Sequence, residues 1–271
     1  MTTKDLNEQP IVLAKINAQG VLRLTLNNPA RRNALSESML AQLHLAIIDA
    51  ASDPLVRVVV LVANGPVFCA GHDLKELTQG RKDNDKGREY FSRIMLMCST
   101  LMQSIVNNPK PVIAEVAGIA TAAGCQLVAS CDLAYAEENA MFGTPGVNIG
   151  LFCSTPMVAL SRNVASKHAM EMLLTGDMIS AHRAAEIGLI NAVTSAHDLT
   201  SRTMEVAIKI AAKSSATVAI GKRAFYEQRQ MSLSDAYTFG AEVMVGNMLT
   251  PDAKEGINAF IEKRTPTWSD Q

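Results

Sequence analysis

Apolar and polar residues alternate in the first part of the chain with the two-residue period of half-buried β-strands. The alternation covers residues 11–17 and 21–26, and the Gln19-Gly20 turn between them predicts a β-hairpin. Residues 56–62, VRVVVLV, form an almost unbroken β-branched run, which is typical of a strand covered on both faces of a parallel sheet. Residues 111–116 predict another short buried strand. We therefore expect an α/β fold with helical connections between parallel strands.

Between and after these strands the apolar residues recur every three or four positions, as in amphipathic helices. Ser36 is a suitable N-cap for the first helix, and a longer helix is expected over residues 88–106. In the second half of the chain the pattern is mostly helical. Helices are expected at residues 157–164, 167–174, 180–187, 199–212, 216–229 and 232–248, and a last one begins at Thr250-Pro251. We predict an α/β core over residues 1–197 and a helical region over residues 198–271 that packs on the core or on another subunit.

Composition and charge make some classes of protein less expected for this chain. The chain has 271 residues, a formal net charge of −1 and a pI near 6.5, which disfavours a nucleic-acid-binding surface. Five cysteines without metal-ligand spacing favour a reducing compartment, and no metal site is predicted. The first ten residues contain neither a signal-peptide apolar stretch nor an Arg-rich transit pattern, and no run reaches the ~20 apolar residues of a membrane span. We expect a cytoplasmic protein without a membrane span.

The stretch from residue 108 to residue 150 gives the strongest indication of a functional site. A Gly/Ala-rich segment, residues 118–124, follows a predicted strand and leads into a helix that begins near Ala123. Small side chains allow a ligand to approach the backbone, and the free N–H groups of a helix start bind developing negative charge. A second turn-rich segment, residues 65–73, follows the valine run, at a strand end where α/β proteins often bind ligands. An electron-rich carbonyl group is therefore an expected ligand.

Seven groups of residues, in order along nearly the whole chain, resemble the crotonase superfamily, also called the enoyl-CoA hydratase/isomerase family. They are residues 28–35 (NPARRNAL), 67–77 (VFCAGHDLKEL), 110–114 with 118–127, 131–134, 170–176 with 179–181, 185–190 and 255–264. The resemblance implies an α/β crotonase-like fold, a spiral of ββα units followed by a C-terminal α-helical oligomerisation region. It also implies a homotrimer or a dimer of trimers.

Enzymes of this family bind an acyl-CoA thioester and stabilise its enolate with two backbone N–H groups, the oxyanion hole. By resemblance these groups belong to Ala70 and Ala123, and one such donor is worth about 3 kcal/mol of transition-state stabilisation. Ala123 stands where glycine is common in the family, so its methyl group is expected to narrow the pocket. Coenzyme A would be part of the substrate, and no separate cofactor is implied. The residues matched to substrate binding are Arg31, Arg32, Gly71, His72, Asp73, Leu74, Phe260 and Lys263, the last two reaching the ligand of a neighbouring subunit.

The positions matched to the acid and base groups differ from those of family hydratases, which use two glutamates. Gln126 and Gly146 stand there, and neither side chain exchanges a proton near pH 7. Cys153 and Ser154 lie further along, near a position where some members have a carboxylate, and Asn148 could orient a water or the thioester. A two-glutamate hydration mechanism is therefore not expected.

Activation of Cys153 or Ser154 would require a nearby base. The local titratable candidates, Glu137 and Glu138, are expected to be exposed turn residues, so both nucleophile candidates are expected to line the acyl pocket. Four further cysteines are expected to be small buried hydrophobes. They are Cys69, Cys98, Cys125 and Cys131.

Three functional hypotheses follow. In the first, the protein is an acyl-CoA enzyme that hydrates poorly or performs another enolate reaction, such as decarboxylation, thioester hydrolysis or isomerisation. In the second, it is a non-catalytic acyl-CoA-binding protein. In the third, it is a scaffold subunit with a vestigial pocket, which the retention of both oxyanion segments disfavours.

Overall fold

The computed structural model describes residues 10–271, and this part of the chain forms two β-sheets connected by helices. The strands are β1 (Val12–Ile16), β2 (Val21–Leu26), β3 (Val58–Ala63), β4 (Val67–Cys69), β5 (Val112–Val116), β6 (Ile119–Thr121), β7 (Leu133–Glu137), β8 (Met141–Gly143), β9 (Met178–Ser180) and β10 (Ala192–Thr194). The helices are α1 (Glu37–Ser52), α2 (Leu74–Gly80), α3 (Arg88–Val106), α4 (Ala123–Ser130), α5 (Pro156–Asn163), α6 (Ser166–Thr175), α7 (Ala181–Glu186), α8 (Leu199–Ala211), α9 (Ser215–Gln228), α10 (Leu233–Met248) and α11 (Pro251–Ile261). Short 3₁₀ turns cover Pro29–Arg31 and Pro145–Ile149.

The first sheet has six strands in the order β1-β2-β3-β5-β7-β10. β1 and β2 are antiparallel, with Val12 opposite Leu26, whereas the other neighbours are parallel. The predicted hairpin and the two predicted buried strands, β3 and β5, are confirmed. Parallel neighbours require crossover connections, and these contain helices, as the α/β prediction expects.

The valines of β3 face two separate apolar clusters. Val59 and Leu61 belong to the main core, with residues of α1 and α3, whereas Val58 and Val60 pack with Leu199 and other residues of α8. Because side chains alternate along a strand, burial of both faces requires an uninterrupted apolar run. The sequence pattern and the two-sided burial of β3 therefore agree.

The second sheet has four strands in the order β4-β6-β8-β9. β4, β6 and β8 are parallel, and β9 is antiparallel to β8. Each of these strands has only three residues, which is too short for a two-residue period to be recognised. The apolar pattern therefore predicts none of them.

The C-terminal helices attach to the core to different extents. α8 contributes to the second apolar cluster, whereas α9 and α10 contain no buried residue. The Lys222 Nζ of α9 donates to Asp132 Oδ2 at 2.7 Å, and the Tyr226 hydroxyl donates to Asp132 Oδ1 at 2.9 Å. Burial lowers the pKa of Lys222, and the Asp132 carboxylate opposes that shift. The proposed boundary at residue 198 stays a prediction.

Among residues 10–271, no helix is both long enough and apolar enough to cross a bilayer.

Candidate active site

Three parallel strands of the second sheet end at one edge and deliver the predicted site residues there. β4 ends at Cys69, β6 at Thr121 and β8 at Gly143. Parallel strands place their carboxyl ends on the same side of a sheet, where α/β proteins commonly bind ligands. The segments that follow are Ala70-Gly71-His72, Ala122-Ala123 and Thr144-Pro145-Gly146.

The segments after β4 and β6 touch at Gly71. A Cβ atom added to Gly71 would lie 2.9 Å from Ala122 Cβ, 3.1 Å from Thr121 O and 3.2 Å from Ala123 N. Gly71 also has a φ of +84°, which residues with side chains rarely adopt. Only glycine therefore allows this approach of the two backbones.

At this contact, the backbone N–H groups of His72 and Ala123 have no acceptor among residues 10–271; we call these two groups the amide pair. A trans peptide bond directs its N–H opposite to its C=O. Leu35 N–H donates to the Gly71 carbonyl oxygen at 2.8 Å, so the N–H of His72 is directed away from Leu35. Ala123 is the first residue of α4, which has no side-chain cap, and the helix macrodipole favours negative charge there.

The prediction of Ala70 as an oxyanion donor is wrong. The N–H of Ala70 donates to the carbonyl oxygen of Arg32 at 3.1 Å and is therefore used inside the protein. The N–H of His72, two residues later, has no acceptor among residues 10–271. Ala123 keeps its free N–H, but it is only 1 % exposed and its methyl group belongs to the main apolar core.

Ala122 turns the chain from β6 into α4 in an unfavourable backbone conformation. Its φ is 53° and its ψ is −120°, in a region that non-glycine residues rarely occupy. The N–H of Ala122 donates to the Gly143 carbonyl oxygen at 2.9 Å, which links this turn to β8. The surrounding contacts therefore hold a strained turn that sets the direction of the Ala123 N–H.

A buried asparagine holds the loop that contacts the segment after β4. Asn33 is fully buried; its Nδ2 donates to the carbonyl oxygens of Val67 at 2.7 Å and Asn64 at 2.9 Å. Its Oδ1 accepts from the Asn28 N–H at 2.8 Å. These bonds fix the loop relative to the start of β4. Asn33 lies inside the matched motif 28–35, but nothing in the sequence indicates this role, because a loop asparagine carries no signal of burial.

The charged residues assigned to CoA binding are partly occupied by one another. Arg31 Nη2 lies 2.7 Å from Asp73 Oδ2, and Arg31 Nη1 lies 3.8 Å from Glu76 Oε1. Asp73 is 6 % exposed and also caps α2 by accepting from the N–H groups of Lys75 and Glu76. The structure therefore gives Asp73 a structural role, and its predicted contact with the ligand stays a prediction. Arg31 remains 43 % exposed, so phosphate binding by Arg31 stays a prediction.

Two side chains of these segments each have a buried polar atom without a hydrogen-bond partner among residues 10–271. These atoms are His72 Nε2 and Thr121 Oγ1. Burial lowers the pKa of His72 to about 4, so its imidazole is neutral at physiological pH. The sequence does not indicate the burial of Thr121, because a lone threonine in a short strand gives no signal.

The positions matched to the glutamates differ in the space around them. Gln126 is 4 % exposed, and the thiol of Cys98 lies 3.9 Å from its Oε1. A Cβ atom added to Gly146 would lie 2.4 Å from Leu151 O and 2.8 Å from Cys153 Sγ. The backbone thus leaves no room for a larger side chain at residue 146.

In the part of the chain that the structure describes, neither alternative nucleophile candidate is hydrogen-bonded to a basic side chain. Burial raises the pKa of the Cys153 thiol, and the nearby Gly146 N–H only partly offsets that shift. Ser154 is exposed and donates to the Phe152 carbonyl oxygen at 3.3 Å. The prediction that Glu137 is an exposed turn residue is wrong, since it is half-buried at the end of β7 and accepts from the Gly118 N–H at 3.0 Å.

The remaining predicted residues lie on the surface. Asn148 is exposed, and its Nδ2 lies 3.4 Å from the Gly176 carbonyl oxygen. Arg32 and Leu74 are exposed beside the site segments. Phe260 is 86 % exposed on α11, and Lys263 follows that helix, so their role toward a neighbouring subunit stays a prediction. The predicted burial of the cysteines is confirmed.

A cavity of about 1150 Å³ lies away from the amide pair, between α9 and the ends of α3, α4 and α5. Its lining includes Arg162, Arg223 and Tyr226, but neither residue of the amide pair. We place the candidate site at the amide pair and not at the cavity, because stabilising a developing negative charge requires hydrogen-bond donors. Within residues 10–271 no cluster of His, Cys, Asp and Glu side chains could hold a metal ion.

Comparisons with known proteins give a consistent result. The family described as Enoyl-CoA hydratase/isomerase matches residues 16–271. The chain is 50 % identical to enoyl-CoA hydratase domain-containing protein 3, mitochondrial, of Xenopus laevis, over 92 % of this chain and 83 % of the relative. The human protein of the same name is 48 % identical, over 92 % and 81 %.

Solved structures agree with the fold. A crystal structure of an enoyl-CoA hydratase from Mycobacterium smegmatis is 49 % identical, with a TM-score of 0.91 over 96 % of this chain and 99 % of that one. Human enoyl Coenzyme A hydratase domain-containing protein 3 is 46 % identical, with a TM-score of 0.90 over 96 % and 100 %. The predicted crotonase-like α/β fold is therefore confirmed.

The cytoplasmic prediction is contradicted by these comparisons. The relatives from Xenopus laevis, Mus musculus and Homo sapiens are all named mitochondrial proteins. The composition of the first ten residues therefore does not identify the compartment.

Proposed function

Because this chain belongs to the enoyl-CoA hydratase/isomerase family, we propose that it binds an acyl-CoA thioester and stabilises the enolate formed from it. The observation that carries this proposal is the amide pair: the N–H groups of His72 and Ala123 lie on touching backbone segments and have no acceptor among residues 10–271. Donors held by rigid backbone need no reorganisation when charge develops on the thioester oxygen.

The proposal does not include hydration by two glutamates. Gln126 cannot exchange a proton near pH 7, and Gly146 has no side chain and no space for one. Reactions that need only the enolate, such as isomerisation with a proton carried by water or by the substrate, remain compatible with the site. The lack of both carboxylates also favours a second candidate, a non-catalytic acyl-CoA-binding protein.

We also propose that the protein assembles as a homotrimer or a dimer of trimers. α10 contains no buried residue and exposes a set of large apolar side chains, and contiguous exposure of this kind marks association surfaces. The exposed residues on α10 are Leu233, Tyr237, Met244, Val245 and Met248, and Leu249 follows as its C-cap. The exposed Phe260 on α11 is consistent with a site shared between subunits.

Spectroscopy of the enolate tests the proposal. Purified protein is titrated with acetoacetyl-CoA while the enolate absorbance is followed, and hydration of crotonyl-CoA is measured separately. We expect an enolate signal and little hydration. Binding without an enolate signal would reduce the function to acyl-CoA binding, and no binding of acetoacetyl-CoA would refute the proposal.

Two glycine variants distinguish an effect on the amide pair from a general effect of backbone strain. Gly71→Ala places a methyl group 3.2 Å from Ala123 N, and we expect it to reduce the enolate signal by at least tenfold. Gly188 has a similar φ of +81° but only one neighbour, Asn163 O, at 3.7 Å. Gly188→Ala is therefore the matched control and should keep the signal. Equal loss in both variants would argue against the amide pair.

A further inference from the structure

The helix that begins with Ala123 is buried along its whole length. All eight residues of α4 are buried. Its first turn lies against the last residue of β4, since a Cβ atom added to Gly124 would be 2.2 Å from the Cys69 carbonyl oxygen. A helix of this length spans about 12 Å, and a close-packed interior transmits a displacement of one end to the other. The groups that hold the far end of α4 therefore also affect the direction of the Ala123 N–H.

Asp132, which lies two residues after the end of α4, joins that end to α9 and β5. Its Oδ2 accepts from the Val112 N–H at 2.7 Å and from Lys222 Nζ at 2.7 Å, and its Oδ1 accepts from the Tyr226 hydroxyl at 2.9 Å. Burial and the charge of Asp132 raise the pKa of Tyr226, so its hydroxyl stays protonated and donates. We call Asp132, Lys222 and Tyr226 the α9 junction.

Hydrogen bonds, rather than apolar packing, attach α9 beside the end of α4. α9 contains no buried residue, and the cavity of about 1150 Å³ lies between it and the ends of α3, α4 and α5. Only 7 % of the Lys222 side chain is exposed, and its Nζ also donates to the carbonyl oxygens of Ile105 at 3.0 Å and Lys110 at 3.1 Å. Hydrogen bonds that involve a charged group are stronger than neutral ones. The junction is therefore a firm contact between the C-terminal helices and α4.

We propose that the α9 junction positions the oxyanion donor: Lys222 and Tyr226 hold Asp132, which fixes the end of α4 and keeps the Ala123 N–H directed at the thioester oxygen. The three residues of the junction are positioning residues, because they act through α4. The C-terminal helical region thereby contributes to enolate stabilisation as well as to assembly. The inference rests on the proposed function, in which the Ala123 N–H is a donor to the enolate oxygen.

A displaced α4 affects the enolate more than it affects thioester binding in general. A hydrogen bond weakens steeply when its donor moves out of line, and a misplacement of about 1 Å costs on the order of 10²-fold in a catalytic site. The enolate oxygen carries more negative charge than the carbonyl oxygen of an unreacted thioester, so its binding depends more on the direction of the donor. Loss of the junction should therefore weaken an enolate-forming ligand selectively.

The ratio of two affinities tests the inference. Calorimetry with the full-length protein gives the affinities for acetoacetyl-CoA, whose enolate is followed by absorbance, and for butyryl-CoA, a saturated acyl thioester. Tyr226→Phe removes one hydrogen bond from Asp132 and keeps the ring, and we expect it to lower the ratio of the two affinities about fivefold, the lower end of typical couplings between sites. Lys222→Met should lower the ratio about tenfold, since it removes a charged donor.

Asp270→Ala is the matched control, because it weakens the attachment of the same helix at its first residue. Asp270 Oδ1 accepts from the Ser215 N–H at 2.7 Å, and its Oδ2 accepts from Arg57 Nη1 at 2.8 Å. Its removal loosens the start of α9 and leaves the bonds to Asp132 in place. We expect a lower unfolding midpoint in both variants, but an unchanged affinity ratio in Asp270→Ala. An equal fall of the ratio in Tyr226→Phe and Asp270→Ala would overturn the proposal, because general loosening of α9 would then explain it.

Coupling between two sites is reciprocal, so the enolate should in turn stabilise the junction. Backbone amides of α9 should exchange hydrogen more slowly in wild-type protein saturated with acetoacetyl-CoA than with butyryl-CoA, and this difference should disappear in Tyr226→Phe. Equal exchange with both ligands in the wild type would refute the coupling. If Lys222→Met fails to fold, Tyr226→Phe decides the matter: an unchanged affinity ratio refutes the positioning role. Absence of an enolate signal from the wild-type protein would instead refute the proposed function.

Discussion

The N–H of Ala70 donates to the carbonyl oxygen of Arg32, so this N–H is not available to a ligand. It joins the segment after β4 to the loop of residues 28–35, and the Leu35 N–H donates to Gly71 O on the same side. Gly71 C=O is thereby directed into the loop and His72 N–H away from it. The loop therefore acts as a support that orients one member of the amide pair.

Asn33 is the residue on which this support depends most. Asn33→Gly keeps the positive φ of 50° but removes three side-chain hydrogen bonds. Loss of these bonds, with two carbonyl oxygens left unpaired, should lower the free energy of unfolding by about 2–4 kcal/mol. Denaturant titration measures it. Asn84→Gly, at an exposed loop position, is the control and should change stability by less than about 0.5 kcal/mol.

Ala122 provides a test of strain at the site. Ala122→Gly removes the penalty of a φ of 53° for a side-chain-bearing residue, so we expect the free energy of unfolding to rise by about 1 kcal/mol. The added flexibility should weaken the enolate signal of acetoacetyl-CoA. Ala120→Gly, in β6, should instead destabilise, because that alanine is fully buried in an ordinary strand. Destabilisation by both substitutions would contradict the strain argument.

Gly146→Glu is expected not to restore hydration. Its Cβ would lie 2.4 Å from the backbone oxygen of Leu151, so the chain around residues 146–153 must shift to accept any side chain. Gly146→Ala should therefore lower stability by at least 1 kcal/mol, an order-of-magnitude value for overpacking. Gln126→Glu, which is nearly isosteric, should fold. Hydratase activity in the double glutamate variant would show that this backbone rearranges easily and would refute the prediction.

Burial of His72 predicts a pH dependence of stability. Its pKa falls from 6.5 to about 4 in the folded protein, so between these values the unfolded chain binds a proton that the folded chain does not. The free energy of unfolding should therefore decrease as the pH falls from about 6.5 to about 4. Above that range His72 should contribute nothing to its pH dependence. In His72→Leu the decrease should be smaller. Denaturant midpoints at pH 7 and pH 5 measure the difference, and identical pH slopes would sink the prediction.

The anchor of α9 can be tested by a double-mutant cycle. Lys222→Met leaves the Asp132 carboxylate half-buried without its cation, and we expect a loss of about 3 kcal/mol in the free energy of unfolding. Asp132→Asn should cost a similar amount. The double variant should be more stable than the sum of the two losses predicts, because neither charge is then left unpaired. Simple additivity would indicate that the pair does not hold α9.

The sequence by itself determined the elements whose side chains carry a repeated pattern. The valine run specified β3 because two buried faces exclude polar residues, and the resemblance of seven motifs identified the family. It also predicts a site near Ala123, since small residues before a helix start allow a ligand to approach the backbone N–H groups. The four short strands of the second sheet could not be predicted in this way, because three residues are too few to show a repeated pattern.

Only the tertiary structure decided which amide is free and which polar atoms lack a partner. Ala70 and His72 are two residues apart in a segment without a regular apolar pattern. The loop of residues 28–35 accepts a hydrogen bond from the Ala70 N–H but none from the His72 N–H. The burial of Asn33 and the missing partner of Thr121 Oγ1 likewise depend on segments distant in sequence. A hydrogen bond depends on the positions of two atoms in the folded protein. Local sequence therefore predicts its partner only within regular helices and strands.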